Sequence, residues 1–130
     1  MKRLSALLLV GMGLISCNSQ EEKPKGIRLN GKQLMQNQCF SCHNTQGTDK
    51  MLAPPMYRVK DHYWDEDVSK TDFVNSIVDW VMDPKEENSI MPGARRKFGL
   101  MPKQKLKKEE IKAIAEFMFD HNIEQNACSH

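Results

Sequence analysis

Five consecutive residues, Cys39, Phe40, Ser41, Cys42 and His43, carry types and a spacing suited to one kind of chemistry. On a helical turn, residues three apart share a face, so the two thiols reach the same bound group and the adjacent imidazole is carried beside it. That geometry suits thioether bonds from Cys39 and Cys42 to the two vinyl groups of a porphyrin, with a nitrogen of His43 aimed at the iron. Cys-x-x-Cys-His is the attachment motif of c-type haem. Other uses of the thiols account for less. A zinc site needs four N or S ligands, usually as two separated pairs, and there is no second pair. A thioredoxin-like pair belongs at a strand-to-helix turn in an α/β pattern, which this sequence lacks. A disulfide between Cys39 and Cys42 leaves His43 and the apolar loops without a role. The expected cofactor is one covalently bound haem c.

A haem iron held by His43 on one side invites a second protein ligand, and the sequence is rich in methionine, with nine in 130 residues. Met91 and Met101 both precede proline in apolar loops, Ile90-Met91-Pro92 and Leu100-Met101-Pro102, and local sequence does not choose between them. Loops this apolar need something to bury against, and a flat apolar cofactor supplies that surface.

Three segments with helical patterning stand ready to position these groups. Asn30 is placed to cap a helix from Gly31 through Cys39, with Leu34 and Met35 as a narrow apolar stripe. Ser69 and Asp72 form an approximate capping box before Phe73, Val74, Ile77, Val78 and Val81, which share one helical face; Pro84 ends that helix. From Lys107 to His121, the residues Ile111, Ile114, Ala115 and Met118 repeat at helical spacing, with Glu109 and Glu110 in the first turn, where the helix dipole favours acids. No long strand pattern and no internal repeat occur, so the class is all-α.

The first residues point to export. Lys2 and Arg3 precede the twelve-residue run from Leu4 to Ile15, which is apolar apart from Ser5; it has the form of a signal peptide and falls short of the roughly 20 residues that cross a bilayer. Without residues 1–16 the chain keeps 17 basic and 17 acidic side chains. A formal net charge of zero argues against nucleic acid as a partner. The charges are nonetheless segregated: residues 61–87 hold nine acids and two bases, a net of −7, whereas residues 93–112 hold eight bases and two acids, a net of +6. His62 and His121, in charged surroundings, read as solvated surface residues. Cys128 and His130 fall in a polar C-terminal tail, and no function follows from them.

Two resemblances extend this reading. Leu14-Ile15-Ser16-Cys17 is similar to the lipobox of bacterial lipoproteins, which implies a diacylglyceryl anchor on Cys17. More than one acyl chain on a residue suffices for stable membrane attachment, at about 0.8 kcal/mol per buried CH₂. From Asn30 to about Asp120 the chain resembles the small bacterial class I c-type cytochromes. A helix runs into Cys-x-x-Cys-His, and a proline loop, middle helices, a Met-Pro loop and a closing amphipathic helix follow in order.

The second resemblance implies a class I cytochrome c fold, about three to five helices wrapped around one haem. It also implies that His43 donates its second ring proton to the carbonyl of a proline about ten residues on, a role that Pro54 fits, with Pro55 as the alternative. Such an acceptor fixes the tautomer of a metal-bound histidine. The family has glycine before that proline, and Ala53 here departs from it. Trp80 is placed either to donate to a haem propionate or to fill the core, and Gly31 to pack against Phe117. Met101 stands six residues before Lys107, the interval at which such cytochromes place the ligand methionine before their last helix, whereas Met91 stands sixteen before it. Met101 is accordingly the expected sixth ligand and Met91 the alternative.

The expected organisation is a signal peptide over 1–16, a lipidated tether over 17–28, a cytochrome domain over 29–122 and a polar tail over 123–130. With His/Met ligation closing both axial positions, the expected function is one-electron transfer on the periplasmic side of a bacterial membrane, with no substrate chemistry of its own. Its partners would be electron-donor and electron-acceptor proteins, acidic docking surfaces among them. The alternative is a haem-bearing accessory subunit or docking module of a larger respiratory oxidoreductase.

Overall fold

The computed structural model describes residues 29–43 and 51–123. The signal segment, Cys17, the tether up to residue 28 and Cys128 and His130 lie outside the described residues.

Among the described residues the chain forms five α-helices and no strand. None of these helices is long and apolar enough to cross a membrane. Helix α1 (Gly31–Gln38) starts where Asn30 Oδ1 accepts the Gln33 N–H at 3.1 Å. Helix α3 (Lys70–Met82) is capped in the same way by Ser69, whose hydroxyl oxygen accepts from the Asp72 N–H at 3.1 Å, and it ends two residues before Pro84. At the start of α5 (Lys108–Asp120), the Lys107 N–H donates to the Glu110 carboxylate at 2.8 Å. Lysine offers no acceptor, so only this half of a capping box forms.

Two further helices lie outside the three segments read from the sequence. Helix α2 (Met56–Tyr63) follows Pro55, and a proline just ahead of the first turn costs no hydrogen bond there. Helix α4 (Pro92–Phe98) has Pro92 at its first position and ends at Gly99, whose φ of 82° is one that side-chain-bearing residues rarely adopt. Each spans two turns; α4 buries no residue fully, and α2 fully buries only Met56, although Met56, Val59 and Tyr63 recur at helical spacing along one face, a repeat too short to stand out in the sequence. A 3₁₀ turn at Glu86–Asn88 links α3 to α4.

Helix α5 is the centre of the packing, lying against both α1 and α3. The core joins Phe73, Val74, Ile77 and Val78 of α3 to Ile111, Ile114, Ala115 and Met118 of α5, with Met35 from α1 and Met56 from α2. Phe73, fully buried, meets Phe119 edge to face at 5.4 Å between ring centres. Helix α1 crosses α5 at Gly31: a Cβ there would collide with the Ala113 carbonyl oxygen and come within 2.8 Å of the Phe117 Cβ. The close approach expected between Gly31 and Phe117 is present, and it depends on the missing side chain. Lys60 of α2 closes the far end of α5 by donating to the His121 carbonyl at 2.8 Å and, more weakly, to that of Phe119 at 3.4 Å.

Candidate functional site

The end of α1 sets the site. Beyond Gln38 the chain keeps turning: the Cys39 N–H bonds the Met35 carbonyl at 2.9 Å, and the Cys42 and His43 N–H groups both bond the Cys39 carbonyl, at 3.1 and 2.8 Å. Cys39, Cys42 and His43 are thereby gathered on one side of a single turn, at the wall of a large cleft. Burial, with a smaller contribution from neighbouring Cys42, pushes the Cys39 thiol up to about 11, so it stays protonated at neutral pH.

His43 points its Nδ1 at the Pro54 carbonyl oxygen, 2.7 Å away. A carbonyl only accepts, so Nδ1 carries the proton and Nε2 is left with its lone pair. Burial holds the imidazole below its ordinary pKa, and the hydrogen bond to Pro54 offsets part of that shift. The ring is therefore neutral and singly oriented, the form in which histidine binds a metal.

The cleft encloses about 1300 Å³ of empty space, part of it open to solvent. Leu52 and Pro54 line it from the loop before α2, with Met56, Val59 and Tyr63 from α2 itself. Helix α3 adds Ile77, Trp80 and Val81, and α5 adds Ile111, Ile114 and Met118. Its remaining wall is built from Met91, α4 and the segment from Leu100 to Leu106.

Both methionines singled out from the sequence, Met91 and Met101, line this same cleft together with the Cys39–His43 turn. The reason is α4. It starts directly after Met91 and closes at Gly99, so its two turns run along the cleft wall and bring the chain to Met101. Ala94, Arg95 and Phe98 of α4 line the cleft as well, so the residues between Met91 and Met101 do not take either methionine away from it. Trp80 is half-buried on α3 and lines the cleft rather than joining the fully buried face of that helix. Met56 is buried in the core while also reaching the cleft wall. His62 and His121 are exposed, as expected. One residue that sequence reading passed over is Arg95, among the described residues the only Lys, Arg, Asp or Glu on the cleft wall. Its position within a run of bases, Arg95-Arg96-Lys97, gave no sign that one of the three turns inward.

A haem fits this arrangement. The walls are dominated by aliphatic, methionine and aromatic side chains, two thiols stand three residues apart at one edge, and a neutral imidazole has its distal nitrogen free. Among the described residues no group of three or more His, Cys, Asp or Glu is placed to hold a metal ion.

No characterised protein and no solved structure gives a significant match to the chain. The family model for cytochrome c matches residues 29–121, which takes in all five helices, the Cys39–His43 turn and both Met-Pro loops, and the chain belongs to the cytochrome c family.

Proposed function

We propose that the protein is an exported, lipid-anchored cytochrome with a single haem c, and that it passes electrons one at a time between redox partners on the periplasmic side of a bacterial membrane. Cytochrome c domains are haem-based electron carriers, typically without substrate chemistry of their own. The finer reading rests chiefly on one observation: the Cys39–His43 turn, with its His43–Pro54 hydrogen bond, and the Met91 and Met101 loops line one cleft.

Haem c, when bound, supplies a ferric/ferrous couple. The residues have separate tasks. Cys39 and Cys42 hold the ring covalently, and His43 offers Nε2 to the iron with its tautomer fixed by Pro54. Met101, with Met91 as the alternative, offers a thioether sulfur. A soft thioether favours ferrous iron and raises the potential relative to a second histidine. With the His43 imidazole and a methionine thioether both bound, the iron would be closed to oxygen and peroxide and outer-sphere transfer would remain.

Leu52 and Leu100, 68 and 43% exposed, lie at the cleft rim, where an electron would cross to a docked partner. Arg96, Lys97, Lys103 and Lys105 are exposed nearby in sequence to Leu100 and Met101, and they suit an acidic partner surface. Cys17 would carry the lipid, with the segment to residue 28 as tether.

Expression with a cytochrome c maturation system tests the reading. The product should carry one haem that survives acid-acetone extraction, and Cys39→Ala or Cys42→Ala should lose a thioether. Extractable haem in the wild type would refute covalent attachment. Tight, rapid carbon monoxide binding by the ferrous protein at neutral pH would refute the closed axial positions.

A further inference from the structure

Among the described residues, Arg95 is the one Lys, Arg, Asp or Glu that lines an otherwise largely apolar cleft. Its Nη1 pairs with the Glu86 carboxylate at 2.6 Å, but its Nε is buried with no hydrogen-bond partner. Among the described residues, it is the buried side-chain nitrogen or oxygen left without one. A buried donor on a charged group is costly to leave unmet, so a site that keeps one is built for an acceptor that arrives from elsewhere. Glu86 is mostly exposed and already engages Nη1. The guanidinium is a planar fork of five donors, and the edge that includes Nε matches a second carboxylate.

Position narrows what that acceptor is. Arg95 lies one turn into α4, where its backbone N–H bonds the Met91 carbonyl at 3.1 Å and its own carbonyl accepts the Gly99 N–H at 2.8 Å. Its backbone is therefore fixed by the same two-turn helix that returns the chain to Met101. Porphyrin of the c type is apolar except for two propionate carboxylates, and a largely apolar cleft with a cation fixed in its wall suits that distribution of charge.

Resting on haem attachment as proposed above, we infer that Arg95 is a propionate-binding residue: its Nε edge receives one haem carboxylate, and Glu86 on Nη1 holds the guanidinium in the orientation that presents that edge. Arg95 is then also a determinant of the reduction potential. Its positive charge offsets the carboxylate and favours ferrous iron, whereas Glu86 moderates the effect.

The test uses matured holoprotein carrying isotope-labelled propionates. Infrared difference spectra would be recorded beside potentiometric titration of wild type, Arg95→Gln, Arg95→Lys and Glu86→Gln. In Arg95→Gln the carboxylate bands should shift to those of a more weakly bonded propionate and the potential should fall. Arg95→Lys, which restores charge without the planar fork, should recover most of the potential but not the bands. Glu86→Gln should raise the potential. Arg95→Gln with haem covalently bound, wild-type bands and wild-type potential would overturn the inference and leave the cytochrome reading standing, whereas wild type without covalent haem would sink that reading itself. Should Arg95→Gln not accumulate as holoprotein, Arg95→Lys decides in its place, shifted bands supporting the inference and wild-type bands refuting it.

Discussion

His43 Nδ1 and the Pro54 carbonyl oxygen, eleven residues apart in sequence, meet at 2.7 Å. Burial lowers the proton affinity of His43 in the fold below the ordinary 6.5, although the bond to Pro54 works against it. A group whose folded pKa is depressed stabilises the fold fully above its unfolded value and loses that contribution as pH falls through the folded one. Iron competing with the proton for Nε2 acts in the same direction. The low-spin absorption spectrum of the holoprotein should therefore hold steady from pH 8 to below 6.5 and be lost only in more acidic solution. An acid transition centred at or above 6.5 would contradict this.

Met91 and Met101 both reach the cleft, so their substitution separates ligand from wall. Met101→Ala should abolish the long-wavelength sulfur-to-ferric-iron charge-transfer band, lower the potential and admit carbon monoxide. Met91→Ala should retain the band and cost about 2 kcal/mol in stability, the low end for truncating a methionine, since Met91 is half-buried. The opposite pair of results would transfer the ligand role to Met91.

Gly31 sits where α1 and α5 touch, and a methyl group there meets the Ala113 backbone, which cannot yield as a flexible side chain would. Gly31→Ala should destabilise the protein by about 1–3 kcal/mol, the usual cost of overpacking, despite alanine's better helix propensity. Urea unfolding followed by far-ultraviolet circular dichroism measures it, and an equal or higher midpoint would show that the helices can part without penalty.

Lys60 joins α2 to the C-terminal end of α5 through the His121 and Phe119 carbonyls. The last carbonyls of a helix have no partner within it and carry partial negative charge, so an ammonium group there is favourable. Lys60→Met keeps most of the aliphatic stem and removes the donors. It should cost about 1 kcal/mol, a charged hydrogen bond discounted for partial exposure. Hydrogen exchange should quicken at the C-terminal turn of α5 and not at its start.

The acidic stretch 61–87 and the basic stretch 93–112 should make electron transfer to a charged partner sensitive to salt. Raising ionic strength from 0.01 to 0.15 M shortens the screening length from about 30 to about 8 Å, so bimolecular rates with an acidic redox partner should fall steeply. Charge reversal at Lys97 and Lys103 should flatten the dependence. Rates that stay level across that range in the wild type would leave the two stretches as ordinary solvated surfaces.

What was legible in the sequence lies mostly within single turns of chain. Cys39, Cys42 and His43 share a side because helical spacing puts them there. Asn30 and Ser69 cap α1 and α3 because a short side-chain oxygen reaches an N–H two or three residues on, and the apolar faces of α3 and α5 repeat at the helical period. The contact between Gly31 and Phe117 and the bond from His43 to Pro54 were expected from resemblance alone, since nothing local requires either. Tertiary structure decided the rest. Helices α2 and α4 are two turns long, and helices that short are too marginal to form on propensity; α2 takes shape against α3 and both helices against the cleft wall, and two turns are too few for an apolar repeat to stand out. Met91 and Met101 reach one cleft only because α4 folds between them. Arg95 is indistinguishable in sequence from Arg96 and Lys97. Which of three adjacent bases turns inward depends on helix phase relative to the cleft, and that phase is set by packing between segments far apart in the chain.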